Sequence, residues 1–255
     1  MVHNIFDSHA HYDHPDFDSD RDTLLAALPG LGVSHVMCAA DSLPSAQRGQ
    51  DLAKAYDYIW CSAGIHPLDA MDAPADLEAQ LARLCAYEKC MAVGEIGLDY
   101  HYDVPREVQL PVFERHLAFA VEHKLPVIIH DREAHEDILR LLKKYRPAGV
   151  VHCYSGSVEM ANEILKLGMY IGFTGLVTFK NVRKALEAVA AIPLDRLLVE
   201  TDCPYMSPVP YRGKRCDSSL IAHSAQVMAQ IKGVDVQELL DITCQNACDL
   251  YGIKQ

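Results

Sequence analysis

The chain has 255 residues, half of them hydrophobic, and a formal net charge of −12. That length suits one large α/β barrel or two small domains, and the apolar share is ample for a large buried core. The acidic balance argues against a broad basic surface for gripping duplex nucleic acid, while leaving room for a small site where a bound metal supplies the positive charge.

Short apolar runs alternate with longer amphipathic ones along the whole chain. The first run, NIFDSHA at 4–10, reads as a strand, and SDRDTLLAAL follows as a helix with Ser19 as its N-cap. SHVMCAAD at 34–41, YIWCSAGIHP at 58–67 and CMAVGEIGLD at 90–99 are the next strands, separated by the helices SAQRGQDLAKAY and PADLEAQLARLCAYEK. PREVQLPVFERHLAFAVEHK carries Pro111 inside it, which predicts a kink or a late start. Strands PVIIHDR at 126–132, GVVHCYSG at 149–156, MYIGFTG at 169–175 and RLLVETDCP at 196–204 alternate with helices in REAHEDILRLLKKY, SVEMANEILKLG and VRKALEAVAAI. SSLIAHSAQVMAQIKG and a terminal pair, VQELLDIT and CQNACDLYG, complete the helices. The strands are rich in Ile, Val, Phe and Tyr, as buried parallel strands are. Eight strands alternating with helices predict a TIM-like (β/α)8 barrel, with an open doubly wound sheet as the runner-up. GEIGLD and YSGS fit neither GxGxxG nor the P-loop spacing. No composition shift marks a boundary, so residues 1–255 read as a single domain.

The nine cysteines contain no CxxC pair and are odd in number, which points to reduced thiols rather than a disulfide framework or a zinc ribbon. The N-terminus MVHNIFDSHAH has no basic segment leading into a long apolar one, and no apolar run reaches the ~20 residues of a membrane span. A cytoplasmic location without membrane contact is therefore expected, and nothing requires an obligate protein partner.

The strand ends carry the chemistry. His9 and His11 are two apart and share a face in an extended chain. His66, Glu95, His130, His152 and Asp202 end five other predicted strands. In a parallel barrel all these ends open on one mouth. Imidazole with carboxylate suits Zn2+, Mn2+ or Fe, and Mg2+ at a carboxylate-rich position. A lone strand-end histidine is usually structural, but so many on separate strands are not. The set exceeds the three protein ligands of a single catalytic metal. It fits two divalent ions sharing a carboxylate, with Glu95 as the bridge and the ions roughly 3.5–4 Å apart. Asp202 would be a ligand and proton acceptor for the attacking water. Glu200 shares its strand face and would lie deeper, either supporting the site or paired with an Arg or Lys. Asp7 would sit below His9 and His11 and orient an imidazole, with Asp13 and His14 in the loop beyond.

The ordered motifs DSHAHYD, GIHP, VGEIGLDY, PVIIHDREAHED, VHCYSGS, YIGFTGLVTFKN, LLVETDCPY and YRGKR resemble those of TatD-type metal-dependent hydrolases, from about Phe6 to NACDLYG. The resemblance implies a TIM-like barrel, a divalent-metal centre and DNase or exonuclease activity. By position it implies one metal (Mg, Mn or Zn) held by His9, His11, Glu95 and Asp202 and a second held by Glu95, His130 and His152. His66 resembles a substrate-side residue. Arg212, Lys214 and Arg215 form a basic loop that would hold phosphate. After GKR the family continues with Asn, Glu and Pro, whereas this chain has Cys216, Asp217 and Ser218. Asp217 would replace the Glu with a shorter reach, and the loss of Pro would free the loop. Asp131 also departs from the pattern, and alternation points it away from the mouth.

The expected substrate is a DNA end or single-stranded nucleic acid, cleaved at phosphodiester bonds. Amide or ester hydrolysis on the same barrel, such as aminoacyl-tRNA deacylation, is the alternative, and a non-enzymatic metal-binding module is the third. Cys153 and Cys203 should turn outward. Tyr100, His101 and Tyr102 either stack on a base or pack their loop. His3, His14, His35, His116, His123 and His223 lack ligand spacing and read as surface or core residues.

Overall fold

The computed structural model describes residues 2–254. Its frame is an eight-stranded parallel sheet in sequence order: β1 (Ile5–Ala10), β2 (Val33–Cys38), β3 (Ile59–Ala63), β4 (Cys90–Asp99), β5 (Val127–Arg132), β6 (Gly149–Val151), β7 (Tyr170–Phe173) and β8 (Leu197–Val199). The sheet curls until its edges meet. Asp202 N donates to His9 O at 2.9 Å, His11 N donates to Cys203 O at 2.8 Å, and Ala10 bridges Cys203. This nearly closed barrel is the TIM-like fold expected from the alternating runs. The open doubly wound sheet is excluded, since such a sheet keeps two free edges.

Helices α1 (Arg21–Ala27), α2 (Leu43–Ala55), α3 (Leu77–Cys85), α4 (Arg106–His123), α5 (His135–Tyr145), α6 (Val158–Lys166), α7 (Arg183–Ala191) and α8 (Ile221–Lys232) follow the strands in turn, and α9 (Val236–Tyr251) is added after them. Local chemistry sets several boundaries. Ser42, Ser157 and Asp235 cap α2, α6 and α9 by accepting from backbone N–H groups two or three residues on. Three expectations change. The residue before α1 is Asp20, not Ser19, and its carboxylate is occupied elsewhere by Arg215. Helix α4 runs unbroken through Pro111, which sits near its start and removes a single ladder donor. The terminal pair is one helix: neither Gly nor Pro separates Thr243 from Cys244, and α9 ends only where Gly252 turns left-handed.

Two apolar layers divide the strand residues by parity. Ile5, Val36, Ile59, Val93, Val127, Val151, Ile171 and Leu197 pack in the larger layer with the surrounding helices. Phe6, Met37, Ala92, Ile128, Val150 and Leu198 form the inner layer, with Trp60 and Tyr170 against it. Helix α9 adds Cys244, Ala247, Cys248 and Tyr251 to that inner layer, so it stoppers the end of the barrel where the strands begin. The strands' other ends are left open for polar groups. Among the described residues, no helix is long and apolar enough to cross a membrane.

Candidate metal centre

The seven strand-end residues singled out in the sequence converge. His9 lies in β1 and His11 just past it. His66 follows β3, Glu95 lies in β4, His130 in β5, His152 just past β6, and Asp202 three residues past β8. Glu95 is the hub, 3 % exposed, and its two oxygens face different partners. Oε2 is 3.2 Å from His9 Nε2 and 3.6 Å from His11 Nε2. Oε1 is 2.7 Å from His152 Nε2, 2.9 Å from His130 Nδ1 and 3.6 Å from His66 Nε2. Asp202 Oδ1 completes the first group, 3.3 Å from His11 Nε2 and 3.7 Å from His9 Nε2. The close meeting of β4 and β5 depends on Gly97. A Cβ there would lie 1.9 Å from His130 O, and the residue's φ is +151°.

Supporting contacts orient the rings. His11 Nδ1 donates to Ala39 O at 3.0 Å, which leaves Nε2 its lone pair in the neutral ring. His130 Nε2 meets Asp99 Oδ2 at 3.0 Å, so its Nδ1 faces Glu95. His66 Nδ1 accepts from Leu68 N at 3.2 Å, so the proton of the neutral ring sits on Nε2, facing the mouth. His9 and His152 stack at 3.9 Å. Glu200 accepts from Cys153 N at 2.5 Å and from Ser8 Oγ at 3.2 Å, with Oε1 3.7 Å from His152 Nδ1. Among the described residues it pairs with no Arg or Lys, so of its two expected settings the one beneath the site is found.

The protonation pattern shows which charge the pocket favours. Burial opposes charge on His11 and His130, but the Asp202 bond with the Glu95 charge lifts His11 to about 10, and the Asp99 and Glu95 bonds lift His130 to about 9. Burial drives His9 and His66 down to about 4, with Glu95 opposing in part. Burial also raises the Glu95 and Asp202 carboxyls, yet the surrounding imidazoles win and hold both below the usual range. Burial lifts Glu200 to about 7 against the pull of His152. Buried carboxylates thus rely on protonated imidazoles for countercharge. A divalent cation gives the same countercharge while leaving each ring neutral and ligating. His9 Nε2 and His11 Nε2 point at each other across 3.0 Å, as donors converging on one centre do. Donor atoms of His9, His11 and Glu95, of His9, His152 and Asp202, and of His66, Glu95 and His130 each lie within 4.8 Å of one another. The residues fit divalent metal.

Several residues land elsewhere than expected. Asp7 orients no imidazole: its oxygens accept from Thr201 N (2.9 Å), Thr201 Oγ1 (2.6 Å) and Ser218 Oγ (2.6 Å). The β1–β2 register slips between Asp7 and Ala10, so face parity does not carry from Asp7 to His9. Arg215 has its guanidinium paired with Asp20 at 2.7 and 2.6 Å. Arg212 and Lys214 remain exposed, Arg212 lying 3.7 Å over the Phe179 ring. Asp217 caps the turn at Ser218–Leu220. Ser218, far from freeing the loop, is fully buried and bonds Tyr12 OH at 2.7 Å as well as Asp7. Asp131 pairs with His135 at 2.9 Å. Tyr100 packs its loop through Asp137 at 2.7 Å, while Tyr102 stays exposed. Cys153 Sγ contacts Thr174 Oγ1 at 3.5 Å, and Cys203 is wholly buried. Sequence reading missed Asp99. Its signal was the length of the strand: a ten-residue β4 brings Asp99 to the same end as Glu95.

The TatD related DNase family model matches residues 6–252. The uncharacterized metal-dependent hydrolase YabD of Bacillus subtilis is 39% identical over 253 residues, covering 98% of this chain and 99% of its own. The 3'-5' ssDNA/RNA exonuclease TatD of Citrobacter rodentium is 34% identical over 260 residues, covering 98% of each. The crystal structure of YJJV, a TatD homologue from Escherichia coli K12, superposes with a TM-score of 0.92 at 29% identity over 100% of both chains. The chain belongs to the TatD family of metal-dependent hydrolases.

Proposed function

We infer that the protein is a two-metal exonuclease that trims single-stranded DNA or RNA from the 3′ end. The observation that carries this is Glu95, whose two oxygens each face a separate set of imidazoles. His9, His11, Glu95 and Asp202 would hold one ion, and Glu95, His130 and His152 the other. Bound there, a divalent pair would supply the charge that polarises a phosphoryl oxygen and acidifies a water.

The chain's own groups do the rest. Asp202 is the carboxylate of the centre most open to solvent, its side chain 17 % exposed, and its lowered pKa keeps it ready to accept a proton. His66 stays neutral and offers Nε2–H to a phosphate oxygen at the mouth. Asp99 holds the His130 ring, and Glu200 places its carboxyl 3.7 Å from His152 Nδ1. Two residues past Asp202 a cleft of about 400 Å³ begins, lined by Tyr205, Phe179, Arg212 and Lys214. Its exposed tyrosine and its Arg–Phe stack suit an unpaired base and its phosphate. The net charge of −12 favours this small footprint over long duplex. The name of the Citrobacter relative supports both substrate and polarity.

The test uses metal-loaded protein and single-stranded DNA and RNA labelled at either end. A ladder should grow on 5′-labelled strands and a released mononucleotide on 3′-labelled ones, and Glu95→Ala should abolish both. Folded, metal-loaded protein that leaves every strand intact but cleaves aminoacyl esters or amides would replace this reading with the alternative.

A further inference from the structure

A second group of metal-ligating side chains lies at the stoppered end of the barrel, remote from the mouth. Cys244 and Cys248 are four apart on α9 and so share one helix face. His35 reaches them from the start of β2, with Nδ1 3.8 Å from Cys244 Sγ. One donor atom from each of the three lies within 4.8 Å of the others. Around a tetrahedral zinc, a nitrogen and a sulfur ligand stand roughly 3.6 Å apart, given bonds of about 2.0 and 2.3 Å. The His35–Cys244 spacing is therefore within a few tenths of an ångström of that value. Ser34 Oγ, 2.8 Å from His35 Nδ1 and 4.0 Å from Cys244 Sγ, offers an oxygen beside the fourth position.

We propose that His35, Cys244 and Cys248 form a binding site for a thiophilic divalent cation such as Zn2+, clamping α9 to β2 across the floor of the barrel. The donor chemistry differs from that of the mouth, where only imidazole and carboxylate converge. Two sulfurs select soft or borderline ions and reject Mg2+ and Ca2+. Both thiols are nearly buried while His35 is only half-buried, so the imidazole edge is the route in. A hydrogen bond with Cys248, then burial, raise the Cys244 thiol above its ordinary value, and metal binding would release that proton. The ion would join residues about two hundred positions apart and close a very long loop, the arrangement in which a cross-link restrains the unfolded chain most.

Two signals read this site and not the mouth. Trp60 is the sole tryptophan of the sequence and stacks on the His35 ring with centroids 5.2 Å apart. Co2+ bound by thiolate gives an intense near-ultraviolet charge-transfer band, which imidazole and carboxylate ligands do not. Co2+ added to the reduced full-length protein should produce that band and change Trp60 emission, with saturation at about one thiolate-bound ion per chain, and Zn2+ should bleach the band. Cys244→Ser and Cys248→Ser should each abolish it. His35→Phe keeps a ring between Phe6 and Trp60 but removes the nitrogen, and should weaken Co2+ at least 10-fold. The proposal is overturned if the wild type shows no thiolate band, if the band survives either serine variant, or if His35→Phe binds Co2+ unchanged. Should a serine variant not fold, the wild-type and His35→Phe titrations decide alone.

Discussion

The two ends of the barrel are built from the same strands and could hardly differ more. At the open end the inward groups are imidazoles and carboxylates. At the stoppered end Phe6, His35 and Trp60 stack one on another, with ring centroids 5.0 and 5.2 Å apart, beneath α9. The lesson concerns the direction of the strands. Where they start, a helix covers them and an apolar interior is stable. Where they end, loops leave polar groups access to water and substrate.

The largest test of this division is Glu95→Ala. Loss of the shared carboxylate should drop metal content below the wild-type value and slow nucleic-acid cleavage by about 10³-fold or more, from several kcal/mol of lost charge stabilisation. Trp60 emission should stay unchanged, since Trp60 lies at the other end. Metal analysis, kinetics and fluorescence on one sample would break the division if all three moved together.

Asp99→Asn should be milder. It leaves the ligands intact but loosens the ring of His130, and about 10- to 100-fold weaker binding of one ion is expected. Competitive metal titration should show one affinity falling and the other holding.

The pH response should carry both signs. In metal-free protein His11 and His130 sit at about 10 and 9 against an ordinary 6.5. The folded chain binds these protons more tightly, so their contribution is complete below pH 6.5 and is lost as pH rises through 9 to 10. Burial lowers His9 and His66 to about 4 and lowers His35 as well, so the unfolded chain takes those protons first and stability falls as pH drops below 6.5. Thermal melts of chelated protein from pH 5 to 10 should therefore decline on both sides. Added metal should restore the alkaline side, because ligation needs the deprotonated rings. His35→Phe should soften the acid side only in part, since His9 and His66 still hold their protons less tightly in the folded chain.

The smallest effect is expected for Arg212→Ala, which removes one exposed guanidinium and its stack on Phe179. KM for single-stranded oligonucleotides should rise several-fold with kcat almost constant, because the cleft binds without touching the reacting atoms.

Much of this was legible in the sequence. Branched and aromatic runs locate all eight strands to within a few residues, because a strand buried on both faces has little freedom in composition. The candidate metal ligands stand out for the complementary reason: imidazole and carboxylate at the end of an apolar run have no packing purpose. What stayed hidden depends on three-dimensional pairing. Asp7 and Ser218 are 211 positions apart, and nothing local announces their bond. Arg215 belongs to a basic run by sequence, yet Asp20 claims it from a distant loop. His35 lacks ligand spacing along the chain because its companions lie on the last helix.

Gly172 carries a consequence for how this barrel can change. A Cβ there would fall 2.3 Å from Glu200 Oε2. The two positions are therefore not independent. Gly172→Ala alone would force the Glu200 carboxylate to shift beneath His152, whereas the same change beside Glu200→Ser would find the space already vacated. The bare Cα of residue 172 is thus the space in which the acid beneath the centre rests, so a change at either position is read through the other.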